Sequence, residues 1–263
     1  MKTIIVIPAR FKSTRLPGKP LIKIAGITML QRVYEAALNV AQNLPDTEIL
    51  IATDDEKIAE HAKEINAKCV MTSVDCPTGT DRTLEAIKQL NYTPDFVVNL
   101  QGDTPFTPPD FITKIIETAA QDKKLKIITP VAQLSWEELD KLREQKQQTP
   151  FSGTTVILDK NDYALWFSKK IIPAIRHEEK LREKSKLSPI YRHIGIYGYR
   201  YEMLQKYVTL KPTHYEELEG LEQLRLLENG YKIYAVPVDY QSKPSMSGID
   251  TIEDVKRAEE LLS

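Results

Sequence analysis

A loop close to the start of the chain carries four basic residues, Arg10, Lys12, Arg15 and Lys19. Seven basic residues precede the first acidic residue, Glu35, although the formal net charge of the whole chain is only −1. Arginine offers a fork of donors and lysine a compact positive charge, and both suit phosphate oxygens. A solvated basic loop is the alternative, but two prolines and a glycine make this loop stiff. We therefore predict an anion-binding loop.

The basic loop follows four consecutive β-branched apolar residues at positions 4–7. Such a run is typical of a strand that is buried on both faces of a parallel sheet. Pro8 has no N–H to donate, so we expect the strand to end there. Because open α/β sheets bind anionic ligands at the carboxyl ends of their strands, the loop lies where such a ligand would bind.

A polar loop from Thr72 to Arg82 leads into a predicted helix, with Gly79, Thr80 and Asp81 close to the helix start. Free backbone N–H groups at a helix N-terminus suit a ligand rich in acceptors, such as a nucleobase or a phosphate. An ordinary N-cap by Thr80 or Asp81 is the alternative. Taken alone, the motif favours the N-cap.

Two aspartates are candidates for holding a metal ion. Asp103 follows the apolar run 96–100 and lies beside Gly102, which would let a ligand approach closely. A carboxylate in this place suits Mg²⁺ bound to a triphosphate, whereas a simple turn aspartate is the alternative. Asp250 precedes Thr251 and Asp254, which have the spacing of a capping box, so a capping role is the alternative for Asp250.

The apolar periodicity predicts the elements that position these residues. Strands are expected at 4–7, 48–53, 68–71, 96–100, 126–132, 154–158, 191–199 and 233–238, with another element beginning at 164–168. Helices are expected at 29–42, 56–66, 83–90, 111–121, 136–148 and 216–228, with a last one after residue 251. This order predicts βαβ units and an α/β fold. The charged segment 176–187 is expected to be an exposed loop or short helix without chemistry.

Length and composition exclude several classes of protein. The 263 residues suit one large domain, and the near-neutral charge argues against a general nucleic-acid binder. No apolar run approaches the ~20 residues of a membrane span, and the immediate first strand leaves no room for a signal peptide. Cys69 and Cys76 show no metal-binding pattern and are expected to be reduced thiols. Together these features predict a cytoplasmic protein that does not enter a membrane.

The segment 7–21, Ile-Pro-Ala-Arg-x-x-Ser-x-Arg-Leu-Pro-Gly-Lys-Pro-Leu, resembles the nucleotide-binding signature of 3-deoxy-manno-octulosonate (Kdo) cytidylyltransferases. Further motifs occur in the order of that family: Thr-Gly-Thr-Asp-Arg at 78–82, Gln-Gly-Asp-x-Pro at 101–105, Arg-His-x-Gly-x-Tyr-x-Tyr at 192–199, Glu-Gln at 222–223 and Asp-Thr-x-Glu-Asp at 250–254. The resemblance therefore covers nearly the whole chain. Acylneuraminate cytidylyltransferases share the fold but have a different first loop.

This resemblance implies a mostly parallel, Rossmann-like nucleotide-diphospho-sugar transferase fold (GT-A-like) in a single domain, residues 1–263. A small antiparallel lobe for sugar binding and dimerisation would come from about 126–235. A homodimer is implied, and the segment 191–199 is rich in aromatic residues that interfaces favour. The implied reaction is the attack of the anomeric hydroxyl of a 2-keto-3-deoxy sugar acid on the α-phosphate of CTP, for lipopolysaccharide or capsule synthesis.

The resemblance also implies roles for individual residues. In the implied CTP site lie Pro8, Ala9, Arg10, Ser13, Arg15, Lys19, Thr72, Gly79, Thr80, Asp81, Arg82 and Gln101. In the implied sugar site lie Gln101, Lys169, His193, Tyr197, Glu222 and Gln223. Asp103 and Asp250 would share one Mg²⁺, while Arg15 and Lys19 would hold the β- and γ-phosphates and stabilise the leaving diphosphate. Since no His or Lys is an obvious general base, activation of the hydroxyl by the metal is expected.

Three residues depart from the family pattern. Thr104 stands where a glutamate is common, Thr155 where a lysine is frequent, and Lys169 where an arginine is usual. Because the motifs as a set resemble the Kdo family, we expect Kdo bound through altered contacts. The alternative substrate is a Kdo variant such as the 8-amino analogue or another 3-deoxy-ulosonic acid. A non-catalytic nucleotide or sugar-acid sensor is the alternative from another class, and it would require the two metal-binding aspartates to be missing, whereas both are present.

Overall fold

The structure is a computed structural model that describes residues 1–12, 16–241, 248–249 and 251–262. The strands in these ranges are β1 (Thr3–Ala9), β2 (Lys23–Ile24), β3 (Ile27–Thr28), β4 (Thr47–Thr53), β5 (Cys69–Met71), β6 (Phe96–Leu100), β7 (Ile127–Ser135), β8 (Thr155–Leu158), β9 (Ala164–Ser168), β10 (Leu187–His193), β11 (Ile196–Arg200) and β12 (Tyr234–Pro237). The helices are α1 (Met29–Asn43), α2 (Glu56–Glu64), α3 (Gly79–Lys88), α4 (Pro109–Gln121), α5 (Trp136–Gln148), α6 (Glu178–Lys184), α7 (Tyr201–Tyr207), α8 (His214–Glu219), α9 (Leu224–Glu228) and α10 (Ile252–Glu260).

One mixed sheet organises the molecule. Its strand order is β5-β4-β1-β6-β11-β7-β10-β8-β9, and β12 pairs with β7 off this path. The strands from β5 to β6 are parallel, and those from β11 to β9 pair antiparallel to their neighbours. The predicted α/β fold class is therefore confirmed, and its antiparallel part continues directly from the parallel part.

The first strand is buried on both faces, as its sequence predicts. Ile5 and Ile7 belong to a core cluster with α1 and α4, while Ile4 and Val6 belong to a second cluster with α3 and α7. Successive side chains of a strand point to opposite faces, which explains why four apolar residues in a row are needed here. This strand lies at the centre of the parallel half of the sheet.

The expectation that β1 ends at Pro8 is wrong, because the strand continues to Ala9. Pro8 and Ala9 lie in register with Ala52 and Thr53 of β4, whereas the register with β6 ends at Val6. The proline, which has no N–H to donate, therefore lies where β1 is no longer paired with β6.

Two predicted elements are each divided in the structure. The segment 191–199 contributes to two strands: β10, which pairs with β7 and β8, and β11, which pairs with β6 and β7. The predicted helix 216–228 is broken into α8 and α9, because Gly220 adopts a left-handed conformation with φ 62° at the C-cap of α8. A glycine inside a helical pattern can act as a stop signal rather than as an interior residue.

The charged segment 176–187 contains the short helix α6, which lies against α5. Glu178 accepts hydrogen bonds from Arg143 and Arg182, and Arg182 also contacts Asp140. The two guanidinium groups lower the pKa of Glu178 to about 2. The segment is therefore an ion-paired surface helix. No helix in the described part of the chain is both long and apolar enough to cross a membrane.

Gly198 in β11 tests how tightly the helices pack on the sheet. A Cβ at this position would overlap the ring of Phe96 and lie 2.6 Å from Cγ2 of Ile115. Gly198→Ala should therefore lower the unfolding free energy by about 1–3 kcal/mol, measured by denaturant titration. Gly195→Ala is the matched control, since nothing lies within 4 Å of a Cβ there. Equal stabilities of the two variants would contradict this account of the packing.

Candidate active site

The carboxyl ends of β1 and β6 bring a lysine and an aspartate together. Lys19 Nζ donates to Asp103 Oδ2 at 2.8 Å, and the lysine side chain is 10% exposed against 40% for the aspartate. Gly102 lies so close to β1 that a Cβ would come 3.0 Å from the carbonyl oxygen of Pro8. This close approach of the two strand ends places Asp103 next to the basic loop.

The described part of the basic loop is held by packing as well as by charge. Gly18 has φ 69°, donates its N–H to the carbonyl of Phe11 at 3.0 Å and packs against the ring of Phe11. Lys57 Nζ lies 5.0 Å from the centroid of the same ring. Gly18 then leads into a 3₁₀ turn, Lys19–Leu21, which carries the buried Lys19. Arg10 is exposed, and Ser13 and Arg15 lie outside the described residues.

Of the two aspartates predicted to hold Mg²⁺, Asp103 is the one that lies among the described residues. No group of three or more His, Cys, Asp or Glu side chains that could hold a metal occurs within the described ranges. Mg²⁺ in nucleotide sites is commonly held by one or two carboxylates together with phosphates and waters, so a dense protein cluster is not required. Ile249, which precedes Asp250 in the sequence, donates its N–H to the carbonyl of Asp103 at 3.0 Å. Asp250 itself lies outside the described residues.

The start of α3 lies beside the ends of β1 and β6. We use the word cleft for the candidate site formed by these strand ends, the start of α3 and residues 222–223. The N-cap of α3 is Thr78, whose hydroxyl accepts from the N–H groups of Thr80 and Asp81, so the alternative interpretation of Thr80 or Asp81 as the cap is excluded. A Cβ on Gly79 would lie 3.2 Å from Gln101 Oε1 and 3.3 Å from Cγ of Pro8. Gly79 thus lets the side chain of Gln101 lie against the helix start.

Arg82 is held inside the protein. It is 2% exposed, donates to Thr72 Oγ1 at 2.5 Å and pairs with Asp54 Oδ2 at 3.0 Å. Thr72 in turn donates to the carbonyl of Thr53 at 3.1 Å. These contacts connect α3 to the ends of β4 and β5. A direct contact of Arg82 with CTP stays a prediction, and the structure gives its guanidinium two protein partners.

Asn99 joins the candidate nucleotide residues to the candidate sugar residues. It is fully buried in β6, donates to Thr80 Oγ1 at 3.2 Å, and accepts from Gln101 Nε2 at 3.3 Å and from Thr83 Oγ1 at 3.3 Å. Thr80 donates to Glu222 Oε2 at 3.1 Å. The sequence interpretation missed Asn99, although a single amide in the apolar run Phe-Val-Val-Asn-Leu was a signal.

Glu222 and Gln223 line the other side of the cleft. Glu222 is exposed as a residue, yet its carboxylate is enclosed by its neighbours, and this desolvation raises its pKa. Gln223 is 6% exposed, and its Nε2 is buried without a hydrogen-bond partner among the described residues. An unsatisfied buried donor is costly, so this amide is suited to an acceptor on a ligand.

His193 lies inside a column of aromatic rings. Its ring centroid is 4.9 Å from that of Phe167 and 5.4 Å from that of Tyr197. Burial, together with the nearby charge of Lys169, lowers the pKa of His193 to about 3, so the imidazole is neutral at physiological pH. Burial also raises the pKa of Tyr197, so its side chain stays a neutral phenol.

A contact with Thr129 assigns the tautomer of His193. Thr129 Oγ1 lies 3.0 Å from His193 Nε2 and donates to the carbonyl of Ile196 at 2.8 Å. Because the hydroxyl has one proton to give, His193 Nε2–H is the donor towards Thr129. The neutral ring then keeps Nδ1 as an acceptor.

The comparisons with known proteins agree with this geometry. The model of the cytidylyltransferase family matches residues 4–233. The 3-deoxy-manno-octulosonate cytidylyltransferase of Maricaulis maris (strain MCS10) is 41% identical over 264 residues, covering 100% of this chain and 98% of the relative. The enzyme of the same name from Francisella tularensis subsp. novicida (strain U112) is 41% identical, covering 98% of both chains. The chain belongs to the 3-deoxy-manno-octulosonate cytidylyltransferase family.

A solved structure extends the similarity to three dimensions. CMP:2-keto-3-deoxy-manno-octonic acid synthetase complexed with CTP superposes with a TM-score of 0.83 and 34% identity, covering 100% of this chain and 98% of that one. Membership of the family, predicted from the motifs, is confirmed, as is the nucleotidyltransferase class. The roles assigned to single residues stay predictions.

Two departures from the family pattern have defined contacts in this member. Thr104 Oγ1 donates to the carbonyl of Gln101 at 2.9 Å. Thr155 is fully buried, donates to the carbonyl of Lys170 at 2.7 Å and accepts from the N–H of Ile172 at 3.1 Å. Both hydroxyls therefore stabilise backbone that carries predicted sugar-binding residues.

Proposed function

We propose that this chain transfers the cytidylyl group of CTP to Kdo and releases diphosphate. The observation that supports this most directly is the cleft itself, where Asn99 and Thr80 connect Gln101 on one side to Glu222 on the other. At its phosphate end lies the pair of Lys19 and Asp103. Relatives 41% identical over the whole chain carry the name of this activity.

The phosphate end of the cleft would bind the triphosphate through Lys19 and the basic loop. Lys19 is held by Asp103 and is thus oriented before CTP arrives, which reduces the cost of ordering its long side chain. Its ammonium would stabilise the negative charge that develops on the leaving diphosphate. We infer the same role for Arg15, with Arg10 and Ser13 nearby in the sequence.

We infer that Mg²⁺ binds at this end of the cleft, with Asp103 and Asp250 as the residues that would hold it. When bound, Mg²⁺ neutralises phosphate charge and lowers the pKa of a coordinated hydroxyl. Asp103 would also orient Lys19 through their hydrogen bond. His193, whose Nε2–H is directed to Thr129, would hold a sugar hydroxyl through Nδ1 rather than move a proton.

The sugar end of the cleft has complementary donors and acceptors. Gln223 Nε2 is a buried donor that needs an acceptor, and Glu222 offers carboxylate oxygens to hydroxyl groups. Lys169, whose charge reaches His193, would face the carboxylate of the sugar acid. Free thiols at Cys69 and Cys76 suit the reducing cytoplasm, where we infer that the chain acts in lipopolysaccharide or capsule synthesis.

Catalysis should depend on Asp103. In a diphosphate-release assay with CTP, Kdo and Mg²⁺, Asp103→Asn should lower kcat by at least about a hundredfold, because the metal and Lys19 both lose a charged partner. The control is Asp122→Asn, an exposed aspartate after α4. Chelation of Mg²⁺ should abolish turnover by the unchanged protein. Near-normal turnover by Asp103→Asn at saturating Mg²⁺ would contradict the assignment, and Mg²⁺-dependent CTP binding without turnover of any sugar acid would favour the sensor.

The sugar acid is tested with a panel of 2-keto-3-deoxy acids that includes the 8-amino analogue of Kdo. We expect Kdo to give the highest kcat/KM, because Thr104 and Thr155 bond to backbone rather than define a new polar pocket. A site built for a different polar group would reject Kdo strongly. An analogue that is used a hundredfold better than Kdo would therefore reassign the substrate.

We also infer that the chain forms a homodimer, for a different reason than its aromatic segment suggested. Tyr197 and Tyr199 are buried inside the protomer, so they are not available to an interface. Large apolar side chains are instead exposed on the edge strand β9 and on α8, with Leu165 57% and Leu218 64% exposed. Trp166 of β9 contacts Tyr215 of α8, so the two elements lie side by side. An exposed edge strand with apolar side chains is suited to association.

Sedimentation velocity should give twice the 30.1 kDa mass of the chain. Introducing charge by Leu165→Glu together with Leu218→Glu should shift the protein to a monomer. Leu38→Glu on α1 is the control for added charge at an exposed leucine, and it should leave the dimer intact. A monomer of the unchanged protein at micromolar concentration would refute the dimer.

A further inference from the structure

Lys146 near the end of α5 binds three backbone carbonyls at once. Its Nζ donates to Ser152 at 2.5 Å, to Gly153 at 3.0 Å and to Lys169 at 2.6 Å. An ammonium group has three N–H donors, so each proton has an acceptor. The lysine thus connects the turn after α5 to the turn after β9, which carries the predicted sugar-binding Lys169.

The same turn is held at neighbouring atoms by two other residues. Glu219 of α8 accepts from the N–H of Lys169 at 2.7 Å and from Ser168 Oγ at 2.7 Å. Thr155 binds the carbonyl of Lys170 at 2.7 Å. The backbone on both sides of Lys169 is therefore fixed by side chains from three different elements. Among them, Lys146 alone binds the carbonyl of Lys169 itself.

The surroundings of Lys146 are mostly cationic. Lys169 and Lys170 lie after β9, Arg192 lies on β10, and Glu219 is the acid among the charged groups that face it. Partial burial, followed by repulsion from these three cations, lowers the pKa of Lys146 to about 8. A cluster with more cations than acids at the sugar end of the cleft is suited to a carboxylate.

We propose that Lys146 is a positioning residue for the sugar acid: its ammonium holds the backbone of Lys169 so that the lysine side chain faces the substrate carboxylate beside His193. This inference rests on the proposed function and extends it to a residue outside the cleft motifs. Thr155, one of the departures from the family pattern, binds the same turn through the carbonyl of Lys170.

The three hydrogen bonds from Lys146 Nζ to backbone carbonyls, which we call the clamp, depend on the charge of the ammonium. A neutral amine has two N–H donors and a lone pair, so one of the three carbonyls would lose its donor. Raising the pH through about 8 should therefore loosen the turn and weaken binding of the sugar acid. A loss of global stability does not explain this weaker binding, because the pKa of Lys146 in the folded protein lies below its ordinary value of 10.5. Between these values the unfolded chain binds more protons, so stability from this group rises with pH.

The test compares Lys146→Met with Lys141→Met, a substitution on the exposed face of the same helix, where the lysine pairs with Glu137. One pH unit below the pKa of about 8, Lys146→Met should raise the KM for Kdo about tenfold, the effect of losing a charged hydrogen bond. The KM for CTP should stay close to that of the unchanged protein, and the melting temperature, which falls because three carbonyls lose a donor, is measured to check that the variant is folded. Lys141→Met should change neither KM.

The pH profile provides a readout that a purely structural role would not move. From one unit below to one unit above a pKa of about 8, the KM for Kdo of the unchanged protein should rise while the KM for CTP does not. Lys146→Arg keeps its charge throughout and should flatten this rise. The profile of the unchanged protein needs no substitution, so it decides the matter if Lys146→Met does not fold.

The failure of this inference can be told apart from failure of the proposed function. If the unchanged protein uses Kdo but Lys146→Met leaves its KM unaltered, or raises both KM values equally, Lys146 is not a positioning residue. If the unchanged protein does not use Kdo, amide hydrogen exchange over 168–172 still measures the clamp. Exchange faster in Lys146→Met than in Lys141→Met supports the clamp, and equal exchange overturns it.

Discussion

The buried side chain of Asn99 is the constraint on which the cleft depends. An amide inside an apolar sheet must satisfy its hydrogen bonds, because a buried polar group without partners costs stability. Its partners here are Thr80, Thr83 and Gln101. By satisfying Asn99, these residues fix the start of α3 and the end of β6 relative to each other. The proposed nucleotide and sugar sides of the cleft therefore share one rigid support.

Charge is arranged along the cleft according to the groups that would bind at each end. At one end Lys19 is paired with Asp103, and at the other Lys169 lies near His193 with Lys146 behind it. Neither cation belongs to a broad basic surface, which agrees with the chain's net charge of −1. Anion binding is thus local, and both lysines are positioned by protein contacts before a ligand arrives. For Lys19 it is the ammonium that is held, and for Lys169 it is the backbone. Such preorganisation reduces the ordering cost of binding.

Two basic side chains that are buried or partly buried position other groups of the protein. Arg82 joins Asp54 and Thr72, and Lys146 joins three carbonyls. A charged residue in a motif can therefore hold neighbouring elements in place instead of contacting a ligand. The residues that line the cleft are thus distinct from the residues behind them that hold them in position.

The sequence by itself determined the strands and helices whose patterns are local, the basic loop, and the family through motifs in order. Only the tertiary structure decided that β1 continues past Pro8, that Thr78 caps α3, and that Gly220 ends α8. It also decided which polar side chains bind protein rather than a ligand, as in the bond between Thr80 and Glu222, which are 142 positions apart. The reason is physical: periodicity reports burial along one element, whereas a hydrogen-bond partner is chosen by the packing of several elements.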